Sequence, residues 1–154
     1  MTAVGAGANV HHVMATVLFI CKANRGRSVM SRALLERAAG GRHRALSAGS
    51  EAQPGGGPHP VVVEVMGEIG IDVSDHRPQR ITLELAREAD VVVTMGCGDA
   101  CPIVPGRQRR VDWDLPDPEG RPIEEVRALR DGIARRIDEL VDELDAAPVG
   151  GVGA

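Results

Sequence analysis

Apolar residues recur along this chain in short continuous runs, and the runs alternate with stretches of helical period. Thr16-Val17-Leu18-Phe19-Ile20 has the length and apolar continuity of a buried strand. It leads through a polar segment into Val29-Met30-Ser31-Arg32-Ala33-Leu34-Leu35, which reads as a helix. Ala45-Leu46-Ser47-Ala48-Gly49 predicts a short second strand, followed by a Pro/Gly-rich turn from Gln53 to Pro58. Pro60 suits the first position of a helix whose Val62, Val65, Met66 and Ile69 follow i, i+3, i+4, i+7 spacing up to Gly70. A shorter helix over Ile81 to Glu88 leads into a strand from Asp90 to Met95. From Ile123 onward, Val126, Leu129, Ile133, Ile137, Leu140, Val141 and Leu144 form a long apolar stripe with charges opposite.

Strands separated by helices imply right-handed crossovers and an α/β fold, a parallel sheet covered by helices on both faces. Residues 1–14 show no period and are expected to be a flexible leader, 15–146 a single domain, and 147–154 a frayed tail. The 154 residues, 43% of them hydrophobic, suffice for one compact core. Aromatic residues are confined to Phe19 and Trp113, so that core must be largely aliphatic.

The net charge of -4, with arginines scattered among carboxylates, excludes the basic field that nucleic acid needs. The valine runs at 61–63 and 91–93 are too short to span a bilayer, and no export signal is evident, so a cytoplasmic protein is expected. Three cysteines in such a compartment do not make a disulfide framework; they read as catalytic or redox groups.

Cys21 stands where the first strand turns into the first helix. The run Cys21-Lys22-Ala23-Asn24-Arg25-Gly26-Arg27-Ser28 offers free backbone N–H groups at a helix N-terminus, a concave nest for a tetrahedral oxyanion above a thiol. Lys22, Ala23, Asn24, Arg25, Gly26 and Arg27 are thus the candidate binding residues. The helix end, the nest, the Arg27 guanidinium and the Ser28 hydroxyl all favour the nucleophilic form of the sulfur. The planar fork of Arg27 can hold two oxyanion oxygens as charge develops, which Lys could not. Asn24 is expected to shape the loop through side-chain to backbone hydrogen bonds at a positive φ. Lys22 and Arg25 add positive potential or stay solvated. Cys101 to Arg107 repeats the same spacing, but it has no feeding strand, carries two prolines and precedes no helix, so it is discarded as a phosphate loop.

A departing oxygen needs a proton. The segment Trp113-Asp114-Leu115-Pro116-Asp117-Pro118-Glu119-Gly120 supplies carboxylic acids on a loop that can fold over the mouth, and Asp117 is the candidate general acid. On the residues alone, Asp114, Asp117 and Glu119 serve equally well as turn and capping residues. Cys97 and Cys101 follow directly after the strand ending at Met95, on the same carboxyl rim as Cys21, and three thiols near one oxyanion site point to electron transfer. If residues 97–101 formed a helical turn, the i, i+4 Cβ atoms would stand about 5–6 Å apart, against about 3.8 Å in a disulfide, so joining them would distort the segment.

From Thr16 to Leu144 the chain resembles the low-molecular-weight protein tyrosine phosphatase superfamily, and within it the thioredoxin-coupled arsenate reductases. The likeness rests on Cys21 to Ser28, on Ser47-Ala48-Gly49-Ser50, on His59-Pro60 through Gly70-Ile71-Asp72-Val73-Ser74 with His76, on Asp90 to Met95, and on Asp117-Pro118. It implies a four-stranded parallel sheet flanked by helices, with Asp117 as general acid. The phosphatases tend to carry aromatic residues after the Asp-Pro pair, where this chain has Glu119-Gly120, and the reductases carry a cysteine pair placed like Cys97 and Cys101. Ala23 stands where the family loop usually has Gly, and Lys22 and Arg25 are unusual neighbours.

The resemblance further implies a relay. Cys21 attacks arsenate, Cys97 attacks the Cys21 sulfur as arsenite leaves, and Cys101 turns the Cys21–Cys97 bond into a Cys97–Cys101 disulfide. Thioredoxin would reduce that disulfide, or a mycothiol and glutaredoxin-like system would serve as reductant; no bound cofactor or metal and a monomeric state are expected. Two other readings stand beside it. One is a phosphatase acting on phosphotyrosine or a small phosphate ester; the other is a metal or arsenite sensor using Cys97, Cys101 and His76, although two thiols and a histidine fall short of a four-ligand zinc site.

Overall fold

The computed structural model describes residues 13–96, 106 and 108–146. Strands β1 (Thr16–Cys21), β2 (Arg44–Gly49), β3 (Val91–Thr94) and β4 (Arg109–Asp112) form one sheet in the order β2-β1-β3-β4. Every pairing is parallel. Helices α1 (Arg27–Ala39), α2 (Pro60–Gly67), α3 (Leu83–Glu88) and α4 (Ile123–Ala146) complete the architecture.

β1 is central and buried along its whole length, because its side chains alternate between two cores. Val17, Phe19 and Cys21 face the larger one, built with α1, α2 and α4. Leu18 and Ile20 face a smaller one, closed by Ala86 of α3 with Leu85 packed against it. Both faces of the sheet are therefore covered, as the alternation of runs and periods predicts. The stripe of α4 buries Val126, Leu129, Ile133, Ile137, Leu140 and Val141. The two aromatic residues meet in the larger core, Phe19 and Trp113 with ring centroids 5.9 Å apart.

Two helices are shorter than their sequence pattern. α2 ends at Gly67, and the chain turns through Gly70 at φ +83° while the N–H of Ile71 donates to Met66 O. α3 starts at Leu83, capped by Thr82 Oγ1, which accepts from the Leu85 N–H. Ile81 stays outside it because the backbone at Thr82 is extended, and the Ile81 N–H donates to Gly49 O at the end of β2.

With all strands parallel, the ends of β1 at Cys21, β2 at Gly49, β3 at Thr94 and β4 at Asp112 lie along one rim. Loops at that rim hold the candidate site, the position that open α/β sheets give to ligands. The expected leader, except for Val13 and Met14, and the expected tail lie outside the described residues, as do Cys97, Cys101 and Arg107.

Candidate active site

Cys21 closes β1 and Arg27 opens α1, so the five residues between them must reverse direction within a short span. Asn24 makes the turn at φ +57°, the one non-glycine residue with positive φ among the described residues. Its short amide is what makes that conformation tolerable, because every polar edge is used. Oδ1 accepts from the Gln79 N–H at 2.9 Å, which fixes the amide orientation, and Nδ2 donates to Ser28 Oγ at 2.8 Å. The carbonyl of Asn24 accepts from His76 Nε2 at 2.8 Å.

That orientation decides a further bond. Ser28 Oγ lies 2.9 Å from Cys21 Sγ, and since the hydroxyl already accepts from Asn24 its single proton is free to donate to sulfur. The Asn24 N–H also donates to Cys21 Sγ, at 3.3 Å. Negative charge on the sulfur, during attack or departure, thus meets two hydrogen bonds already in place. The sulfur lies at the floor of the loop, where the residue is 2% exposed.

Arg27 is buried at the head of α1. Its Nη1 donates to Met95 O at 2.8 Å and to Leu115 O at 3.2 Å, carbonyls that belong to the loops after β3 and β4. The guanidinium is pinned along that edge, and its Nη2 stands 3.7 Å from Asp117 Oδ2. Gly96, at φ +71°, runs directly against it: a Cβ there would lie 3.1 Å from Arg27 Nη1 and 2.9 Å from Leu115 O. The chain leaving β3 therefore passes over the cation of the loop.

Asp117 sits half-exposed at the mouth. Its Oδ1 accepts from the Glu119 N–H at 2.9 Å and its carbonyl from Arg121 Nε at 2.7 Å, leaving Oδ2 toward Arg27. One carboxyl oxygen of this aspartate thus makes the turn, and the other faces Arg27.

Of the loop residues, Lys22 is exposed, Ala23 and Arg25 are half-buried, and Asn24 and Gly26 are buried. Arg25 Nε donates to Gly57 O at 2.8 Å, so this side chain is anchored and not freely solvated. Cys21 is thus brought to Ser28 and Arg27 to Asp117, whereas Cys97 and Cys101 lie outside the described residues. His76, read from the sequence as a metal ligand in the sensor alternative, instead holds the loop backbone. Among the described residues no group of His, Cys, Asp or Glu could hold a metal ion.

Sequence reasoning overlooked Gln79 and Gly49 as supports. Gln79 Nε2 donates to Ser47 O at 2.8 Å while its backbone holds Asn24, and the Gly49 N–H donates to Gln79 O. A Cβ on Gly49 would come within 2.6 Å of Lys22 O and 2.9 Å of the Asn24 nitrogen. A glycine ending a strand beside a nest was a signal for Gly49; nothing in the spacing marks Gln79.

The family model for low molecular weight phosphotyrosine protein phosphatases matches residues 16–149. The chain belongs to that family. Within it, the chain is 36% identical over 128 residues to a protein named arsenate reductase 2 from Staphylococcus haemolyticus, covering 81% of this chain and 95% of the relative. Among solved structures, the thioredoxin-dependent arsenate reductase of Corynebacterium glutamicum aligns with a TM-score of 0.69 and 37% identity over 85% of this chain and 61% of that one. A low molecular weight protein tyrosine phosphatase from T. tengcongensis aligns with a TM-score of 0.74 and 29% identity, over 86% of this chain and 100% of its own. The four-stranded parallel sheet expected from the resemblance is the fold of this family as observed here.

Proposed function

We propose that this protein is an arsenate reductase that uses Cys21 as nucleophile and Cys97 and Cys101 as the thiols that carry electrons onward. The observation that carries the reading is the pair of hydrogen bonds that Ser28 and Asn24 offer to Cys21 Sγ, in a loop whose buried Arg27 faces the Asp117 carboxyl and in a chain whose relatives include arsenate reductases.

Cys21 sulfur attacks arsenic, forming a sulfur–arsenic bond, while an arsenic–oxygen bond breaks and the departing oxygen takes a proton from Asp117 and leaves as water. Arg27 and the loop N–H groups hold the remaining oxygens. Cys97 thiolate then attacks Cys21 sulfur; the new disulfide forms as the sulfur–arsenic electron pair passes to arsenic, and arsenite departs in the +3 state. Cys101 attacks Cys97, restoring Cys21 as thiolate and leaving a Cys97–Cys101 disulfide. Two thiols have given two electrons, and an external dithiol restores them. Thioredoxin is the reductant that fits a three-thiol relay, and the Corynebacterium relative is a thioredoxin-dependent enzyme. Lys22 and Arg25 add charge at the mouth that favours a small anion.

A single-turnover experiment tests the relay. Mixed with arsenate and no reductant, Cys101→Ser protein is expected to release one equivalent of arsenite and to stop as a Cys21–Cys97 disulfide, identified by non-reducing peptide mass mapping. Arsenite release without that bond would refute the order of attack. A phosphatase reading has its own support in the tyrosine phosphatase neighbour. It requires aryl phosphate hydrolysis that is indifferent to Cys97→Ser and Cys101→Ser.

A further inference from the structure

The proton donor at the mouth is only useful if its carboxyl is held over the loop, and the turn that carries it is half-exposed. Outside, Arg121 ties that turn down: its Nε donates to Asp117 O and its N–H to Pro118 O. Inside, the contact is apolar and leaves no room for a side chain at position 26. A Cβ built on Gly26 would stand 2.6 Å from Pro118 Cγ and 3.3 Å from Pro118 Cδ, with His59 Cδ2 at 3.4 Å. Carbon atoms in good contact stand about 3.5–4.0 Å apart, so the proline ring occupies the space a side chain at position 26 would need. The ring lies against bare loop backbone, flanked by a buried histidine.

His59 is itself fixed. It precedes α2, and its N–H donates to Arg25 O of the same loop at 3.0 Å, so the wall beside Pro118 moves with the loop and not with the mouth turn. Gly26 likewise belongs to the loop, and its carbonyl accepts the Met30 N–H that starts α1. Pro118 is therefore the one member of this contact carried by the acid turn, and it is the residue adjacent to Asp117.

We propose that Pro118 is a positioning residue: its ring, seated in the notch left by the missing side chain of Gly26 and walled by His59, fixes the height of the Asp117 carboxyl above Cys21. This rests on the reading of Asp117 as proton donor given above. A shift of about 1 Å in a group that must reach a reacting atom can cost up to about 100-fold, which is the displacement a methyl group at position 26 would force on the ring.

The test contrasts two reactions of the same sulfur. Arsenite formation in a single turnover needs a proton on the leaving oxygen, whereas alkylation of Cys21 by iodoacetamide expels iodide and needs none. Asp117→Asn serves as reference and is expected to slow arsenite formation about 100-fold or more while leaving Cys21 alkylation within about twofold. Pro118→Ala is expected to show the same selectivity with a loss of about tenfold, and Gly26→Ala a loss between about 10-fold and 100-fold. The double variant Gly26→Ala/Pro118→Ala removes the ring that the new methyl collides with. It is expected to be no slower than Pro118→Ala alone, the non-additivity of two residues that share one space.

If Asp117→Asn is selective but Pro118→Ala is not, or if the double variant shows the product of the two single losses, the seat is refuted and Asp117 keeps its role. If Asp117→Asn itself spares arsenite formation, or the wild type forms none, the reading of the site fails and the seat with it. Pro118→Ala leaves the loop sequence intact, so the outcome does not depend on Gly26→Ala folding.

Discussion

Asn24 concentrates much of the local logic of the site. One residue in the left-handed region turns the loop, and its amide links the backbone at Gln79 to the hydroxyl that faces Cys21 Sγ. The sulfur thus receives its hydroxyl donor because an amide two bonds away is oriented by a backbone N–H. Removing the hydroxyl leaves Cys21 with the Asn24 N–H alone and leaves Asn24 Nδ2 without its acceptor. Ser28→Ala is accordingly expected to slow iodoacetamide alkylation of Cys21 at pH 7 by roughly tenfold, since hydrogen bonds to charged groups contribute about 1.5–3 kcal/mol and one donor remains. An unchanged alkylation rate would show that the hydroxyl points elsewhere. Much of this was legible from residue types: a thiol, an arginine and a serine after a buried strand announce an oxyanion loop, and the positive φ of Asn24 follows from its chemistry. The direction of the Ser28 proton was not, because it depends on Gln79, which is far away in sequence.

Among the elements, the strap after α2 matters most to the loop. It delivers His76, Gln79 and Arg80 along the end of β2, where Gly49 bridges to Arg80. His76 sits half-buried with its Nε2–H donated to Asn24 O. Burial holds its pKa below the ordinary value of 6.5, the charges of Arg32 and Arg77 act in the same direction, and the bond to Asn24 opposes them. His59 is shifted the same way, first by burial and then by Arg25, with Glu119 and Asp117 opposing. Between the folded value and 6.5 the unfolded chain binds more protons than the native one, so stability is fully present above 6.5 and falls as pH drops through that value toward the folded pKa. The denaturant midpoint is therefore expected to decline from pH 7.5 to pH 5.5, and His76→Gln to show a smaller decline across the same interval. An equal decline in the variant would remove His76 from the account. Helix ends were less legible than helix cores for an equally local reason. Ile81 fits the helical pattern of α3, but Thr82 after it is extended at φ −126° and ψ 162°, so the helix begins only at Leu83.

At the scale of the whole molecule, β1 explains why so short a loop can be held so firmly: it is buried on both faces and paired on both edges, so Cys21 ends the most constrained strand in the sheet. β4 is the opposite case. Its residues Arg109-Arg110-Val111-Asp112 carry one apolar side chain, and it pairs only at the edge of the sheet, so no hydrophobic pattern announces it. The four-stranded sheet was legible through resemblance and not through periodicity. The long helix α4 closes the larger core and ties the far end of the fold as well, where Asp145 accepts from His43 Nε2 at 2.8 Å and pairs with Arg42. His43 Nδ1 in turn accepts from the Ala15 N–H, just before β1. The rim opposite that end carries Cys21, Arg27, Asp117 and Gly96.

The central claim, that this rim reduces arsenate through three thiols, is met most directly by NADPH oxidation in the presence of arsenate, thioredoxin and thioredoxin reductase. Arsenate-dependent consumption by the wild type that collapses in both Cys97→Ser and Cys101→Ser is the result the relay predicts. Sustained turnover in either variant, or hydrolysis of aryl phosphate with no NADPH consumed, would contradict it.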